Sequence, residues 1–147
     1  MPQFRALLGG EPSRVANLAN AAAALMEAFG WHWIGFYLVD EVRDELVLGP
    51  FQGPVACTRL RHGKGVCAAA WDTGCTQHVP DVEAFPGHVA CSAATRSEVV
   101  VPIAVAGEVV AVLDVDAVEL DGFVAADVQG LEAVAAWLAE NWTAWEG

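Results

Sequence analysis

Three groups of residues in this sequence carry side chains that can do chemistry. The first is Cys91, set in GHVACSAATRSE among Ala90, Ser92, Ala93 and Ala94. Small neighbours leave room beside the sulfur, and backbone N–H groups aimed at it would favour the thiolate, the reactive form of cysteine. The second is LDVDA, where Asp114 and Asp116 stand two residues apart. In a strand that spacing puts both carboxyls on one face. Neighbouring carboxyls raise one another's pKa, so one can stay protonated near neutral pH and act as an acid. The third is Trp33-Ile34-Gly35-Phe36-Tyr37, an aromatic strand with a glycine in its middle. Each group also has a plainer reading: a cysteine packed as a small apolar residue, a solvated turn, an aromatic core strand. Three further cysteines, Cys57, Cys67 and Cys75, lie in the same stretch of chain. They contain no C-x-x-C pair, and the nearest approaches are Cys75 with His78 and His88 with Cys91. Zinc spacing is therefore missing and no metal is expected. Gly63-Lys64-Gly65 is too short for a phosphate loop.

The elements that must position these groups can be read from periodicity and breakers. Residues 13–29 form an Ala-rich helix that Ser13 can cap and Gly30 can stop. A strand over 31–40, a polar turn over 41–44 and a strand over 45–53 make a hairpin. A short strand over 57–61 follows, then a helix of two or three turns over 63–74 and an extended piece over 76–82. Residues 81–96 carry Pro86 and Gly87 and read as a loop with at most one helical turn. The apolar runs flanking Ala106-Gly107 predict an antiparallel hairpin. From Asp121 to Trp145 a helix is expected, with Leu131, Val134, Ala135 and Leu138 on one face. Trp137 and Trp142 on it are expected to be core or dimer contacts. Strands joined by tight turns imply an antiparallel sheet with helices packed on it.

The 147 residues suit one domain, 1–147, and 55% hydrophobic residues supply one sizeable core. Lys plus Arg against Asp plus Glu is 7 − 19 = −12, a charge that repels nucleic acid and anionic lipid. No apolar run reaches the ~18–20 residues that span a bilayer. MPQFRALLGGEPS lacks the apolar stretch of a secretory signal. A cytoplasmic protein is expected, and there structural disulfides are rare.

Taken together, W-x-G-F-Y, LVLGPFQG-x-x-AC, G-x-G-VC, D-V-x-x-F-x-GH-x-AC-x-A-A-x-x-SE, LD-x-D and a helix with Q-G-L resemble the free methionine-(R)-sulfoxide reductases. These are GAF-domain enzymes that reduce the free amino acid. The resemblance runs from Trp31 to Leu138. It implies an α+β, GAF-like fold: a six-stranded antiparallel sheet with N- and C-terminal helices on one face and a lidded pocket on the other. It makes Cys91 the thiol that attacks the sulfoxide sulfur and Cys57 the resolving cysteine, with Cys67 as the alternative. Glu98, Asp114 and Asp116 match the family's pocket acids, and Trp33 and Tyr37 its pocket aromatics. Cys75 matches no family cysteine and is read as structural. Residue 32 is His where a small polar residue is expected. No cofactor is implied. The partners implied are free methionine sulfoxide, thioredoxin or a similar dithiol, and a second copy in a homodimer. The main alternative is a GAF-type small-molecule or redox sensor without turnover. It would have to act on a partner in trans, since no output domain is expected after the last helix.

The residue types suit this reaction. A thiolate must reach the sulfur, and a proton must reach the sulfoxide oxygen before it can leave. The resulting sulfenic acid condenses with a second thiol, and an external dithiol reopens the disulfide. Acids in the pocket suit a substrate with a free ammonium, which a peptide-bound methionine lacks. One detail needs a correction in the chain. A two-residue turn at Ala106-Gly107 pairs Val105 with Glu108 and Ser97 with Asp116, which puts Glu98 on the wrong face. A bulge between Glu98 and Val105 is therefore expected, and Pro102, which cannot donate a ladder hydrogen bond, is a natural place for it.

Overall fold

A computed structural model describes residues 2–88 and 93–147, the side chains of Pro2 and Gln3 excepted. Cys91 lies outside the described residues. The elements run α1 (Pro2–Leu8), α2 (Arg14–Phe29), β1 (Trp33–Asp40), β2 (Glu45–Gln52), β3 (Arg59–Leu60), α3 (Gly65–Thr73), β4 (Gln77–Val79), β5 (Ser97–Val105), β6 (Glu108–Ala117) and α4 (Ala125–Asn141). The strands form one sheet in the order β3-β2-β1-β6-β5-β4, and every neighbouring pair is antiparallel. This is the α+β architecture with a six-stranded antiparallel sheet that the resemblance implies. Among the described residues no helix is long and apolar enough to cross a membrane.

Local chemistry explains the helix ends. The Ser13 hydroxyl accepts a hydrogen bond from the Ala16 N–H, and Gly30 closes α2 in the left-handed conformation. Helix α4 is shorter than expected. It begins where the Asp127 carboxylate accepts from the Val124 N–H at 2.9 Å, and beyond Asn141 the chain tightens into one 3₁₀ turn. Helix α1 was not evident in the sequence. Seven residues cannot hold a helix alone in water. Phe4 and Leu8, one turn apart, are buried, and Phe4 packs on Trp137 of α4 at 6.5 Å.

The sheet is covered on both sides, so β5 and β6 read as nearly unbroken apolar runs. Alternate residues go to opposite cores. Ile34, Phe36, Val99, Val101, Leu113 and Val115 pack with α2 and α4. Trp137 and Trp142 are buried in this same helix-side core. Trp33, Tyr37, Val100 and Val112 face the other way, toward α3, with Val66 and Cys67.

The β5–β6 register carries the expected bulge. Val105 pairs with Glu108 around Ala106 and Gly107, both at positive φ as a type I′ turn requires. The ladder shifts between Ile103 and Ala104: Ile103 pairs with Ala111 and Ala104 with Val109. The extra residue, Val110, is on β6, and Pro102 keeps a regular partner in Val112. The shift brings Glu98 directly opposite Asp116 and onto the same face.

Candidate active site

The face of the sheet toward α3 holds a cavity. Trp33 and Tyr37 on β1, Glu98 on β5 and Asp114 and Asp116 on β6 all line it, as does Cys67 on α3. Trp33 pairs with Asp116 and Gly35 with Asp114 across β1–β6, so aromatics and acids stand side by side. Glu98 and Asp114 are buried, and Asp116 is partly exposed. Burial, followed by the charge of Asp114, pushes the Glu98 carboxyl well above its ordinary pKa. Burial and the charge of Asp116 do the same for Asp114. Burial and the charge of Glu98 do it for Asp116. Three crowded carboxyls in a dry site cannot all ionise. The cluster therefore holds a proton to higher pH than free carboxyls do and can donate it to an oxygen placed above it.

The aromatic side of the cavity is built on two glycines. Trp33 stacks on Phe51 at 5.2 Å and on Tyr37 at 6.0 Å. A Cβ on Gly35 would lie 2.3 Å from the Phe51 Cβ and 2.6 Å from the Trp33 ring. One on Gly53, at φ +133, would lie 2.7 Å from the same ring. Gly35→Ala is expected to push Trp33 into the cavity, to destabilise by about 1–3 kcal/mol as overpacking does, and to raise KM for a ligand resting on that ring. Thermal denaturation and steady-state kinetics read the two effects.

The same aromatics hold the segment that carries Cys57. The Trp33 indole N–H donates to the Pro54 carbonyl at 3.0 Å. The Tyr37 hydroxyl donates to the Cys57 carbonyl at 2.8 Å. Burial and then the charge of Asp114 push the Tyr37 pKa up, so the hydroxyl keeps its proton. Tyr37→Phe removes a bond worth about 0.5–1.5 kcal/mol and loosens Cys57. It is expected to slow closure of any disulfide at Cys57 more than the step before it, as rapid-quench thiol counting would show.

The cysteines differ sharply. Cys57 is disulfide-bonded, whereas Cys67 and Cys75 are free thiols. Cys67 is buried, and burial followed by the charge of Asp114 pushes its thiol up. A thiol held protonated is a weak nucleophile. Cys75 follows Gly74 at the end of α3 and is exposed. Cys91 lies outside the described residues, but His88 and Thr95, the nearest cavity residues on either side of it in the chain, both line this cavity.

Some of these lining residues were assigned no role in the site from the sequence. Lys64 and Gly65, at the start of α3, form part of the wall. They are steadied by His62, whose ring binds Asp72 of α3 through Nδ1 and Asp44 of the β1–β2 turn through Nε2. The ring stacks on Trp71 at 3.6 Å. The Asp44 bond, followed by the Asp72 bond, raises the His62 pKa. His88 Nδ1, Thr95 Oγ1, Asp114 Oδ1 and Asp116 Oδ1 are buried without a partner among the described residues. All four belong to residues lining this cavity, and clustered orphan polar atoms of this kind mark a place for a polar ligand.

Sheet order, helix layer and cavity together define a GAF domain, and the GAF-domain family matches the chain over residues 13–141. The chain is 55% identical to GAF domain-containing protein A of Dictyostelium discoideum over 84% of its own length and 77% of that protein. It is 45% identical to the free methionine-R-sulfoxide reductase of Escherichia coli, covering 92% of this chain and 81% of the other. The crystal structure of free methionine-R-sulfoxide reductase from Neisseria meningitidis, in complex with its substrate, superposes with a TM-score of 0.95 at 51% identity, over 97% of this chain and 86% of that one. The chain belongs to the free methionine-R-sulfoxide reductases, a family of GAF-domain oxidoreductases.

Proposed function

We propose that this chain reduces free L-methionine-(R)-sulfoxide to L-methionine in a reducing cytosol. Cys91 attacks the sulfoxide sulfur, the acid cluster of Glu98, Asp114 and Asp116 protonates the departing oxygen, and Cys91 is left as a sulfenic acid. Cys57 then condenses with it to a disulfide and releases water, and thioredoxin or a similar dithiol reopens that disulfide by exchange. One observation carries this reading. Three crowded carboxyls, those of Glu98 and Asp114 buried, share with stacked aromatics a cavity lined by His88 and Thr95, which flank Cys91 in the chain. Such a cavity has an acid for the oxide, negative charge for the ammonium and an apolar ring for the S-methyl group. Cys57 is favoured over Cys67 as resolver because Cys57 is disulfide-bonded while Cys67 keeps a protonated thiol.

The test is turnover of free L-methionine-(R)-sulfoxide with thioredoxin or dithiothreitol, with released methionine quantified by chromatography. The S epimer and peptide-bound methionine sulfoxide serve as controls. Methionine from the free R epimer alone is expected. Binding of the sulfoxide with no methionine formed would instead identify a sensing module.

A further inference from the structure

Three side chains that line the cavity bring potential ligand atoms close together. The Cys67 sulfur and one oxygen each from Glu98 and Asp114 lie within 4.8 Å of one another. Zinc bonds of about 2.0–2.3 Å place tetrahedral ligand atoms about 3.3–3.8 Å apart, so small side-chain rotations close the three around one ion. Asp114 is 5% exposed, and its Oδ1 has no partner among the described residues. That buried, unused acceptor lies in the cavity that Cys67 and Glu98 also line.

We propose that Cys67, Glu98 and Asp114 bind a thiophilic divalent cation of the zinc or cadmium kind, which inhibits the enzyme by occupying the floor of its substrate cavity. One sulfur with two carboxylate oxygens is a borderline-soft set, unlike the all-oxygen sets of magnesium and calcium. Three protein ligands leave a fourth position facing the cavity. The ion displaces the thiol proton and the carboxyl protons into solvent, so its affinity rises with pH. Asp116, Tyr37, Lys64 and His88 also face this space; Asp116 adds attraction, and the Lys64 ammonium opposes it. The inhibition, though not the binding, rests on the cavity being the substrate pocket proposed above.

The experiment titrates Zn²⁺, and Cd²⁺ as the spectroscopic probe, into the disulfide-bonded form of Cys75→Ser. In it Cys67 is the free thiol among the described residues. One equivalent should bind, with an ultraviolet thiolate-to-cadmium charge-transfer band. Cys67→Ala should erase the band and weaken Zn²⁺ by more than the roughly 10–100-fold that loss of an outer partner costs. Asp114→Asn should weaken Zn²⁺ while leaving a band, which guards against a misfolded Cys67 variant. No band, or one that survives Cys67→Ala, overturns the metal site and leaves the reductase reading untouched. Free methionine sulfoxide should raise the Zn²⁺ needed for half-saturation. A band lost in Cys67→Ala together with Zn²⁺ binding indifferent to methionine sulfoxide overturns the inhibition, and turnover of free methionine sulfoxide by the metal-free enzyme decides separately whether the substrate-pocket reading stands.

Discussion

Cys91→Ser is expected to release no methionine even in a single turnover, while Cys57→Ser releases one equivalent and then stalls with thioredoxin. The difference follows from the order of bonds. In the proposed mechanism, attack by the Cys91 sulfur transfers the sulfoxide oxygen to it and frees the sulfide, so no methionine would form without that thiol. Loss of a nucleophile of this kind costs on the order of 10³-fold or more. On the same proposal Cys57 enters later, when its thiol displaces water from the sulfenic acid. Dithiothreitol, small enough to attack the sulfenic acid directly, should restore part of the turnover of Cys57→Ser. Thioredoxin, which needs a disulfide to exchange with, should not. Rapid-quench chromatography of methionine against enzyme concentration separates the cases. Full single-turnover release by Cys91→Ser would remove that residue from the attacking role.

Asp116→Asn should slow the chemical step by about 10²–10⁴-fold, the usual worth of a positioned acid, with less effect on the fold. Asp114→Asn should also make the protein more stable, increasingly so as pH rises. All three carboxyls have pKa values raised by burial and mutual charge. The folded state therefore holds protons that the unfolded chain has already lost, and stability falls as pH climbs. It is greatest below the unfolded carboxyl pKa of about 4 and declines through the raised folded values. An amide in place of Asp114 cannot ionise and removes part of that decline. The expected gain is roughly 0.5–2 kcal/mol, as for other sites where activity is kept at the expense of stability. Urea denaturation at acid and mildly alkaline pH tests the sign. A gain larger in acid than in alkali would show that Asp114 is not held protonated by its neighbours.

How much of this could be read before any coordinates varied with the range of the interaction. The Ser13 cap and Gly30 stop of α2 are local hydrogen-bonding devices, and both stand where the sequence places them. The alternation of Trp33, Gly35 and Tyr37 and the Asp114–Asp116 pair are set by the two-residue period of a strand. Even the bulge was visible, because turn geometry and a required face for Glu98 disagreed by one residue. Its location was not: Val110 carries it, not Pro102. Helix α1 escaped because packing on Trp137, not its own propensity, supports it. The place of Lys64 in the wall was not legible, because it depends on where α3 begins.

Local pattern determined which residue types could act, which strand faces they share and, through the combined motifs, the family they resemble. Tertiary structure decided which of them meet. Cys67, Glu98 and Asp114 are separated by 98 − 67 = 31 and 114 − 98 = 16 positions, yet their ligand atoms converge within 4.8 Å. The physical reason is that burial and proximity set a group's charge, and both depend on how α3 lies across the sheet and on one extra residue in the β5–β6 ladder. Neither distance nor dielectric is written in the spacing of residues along a chain.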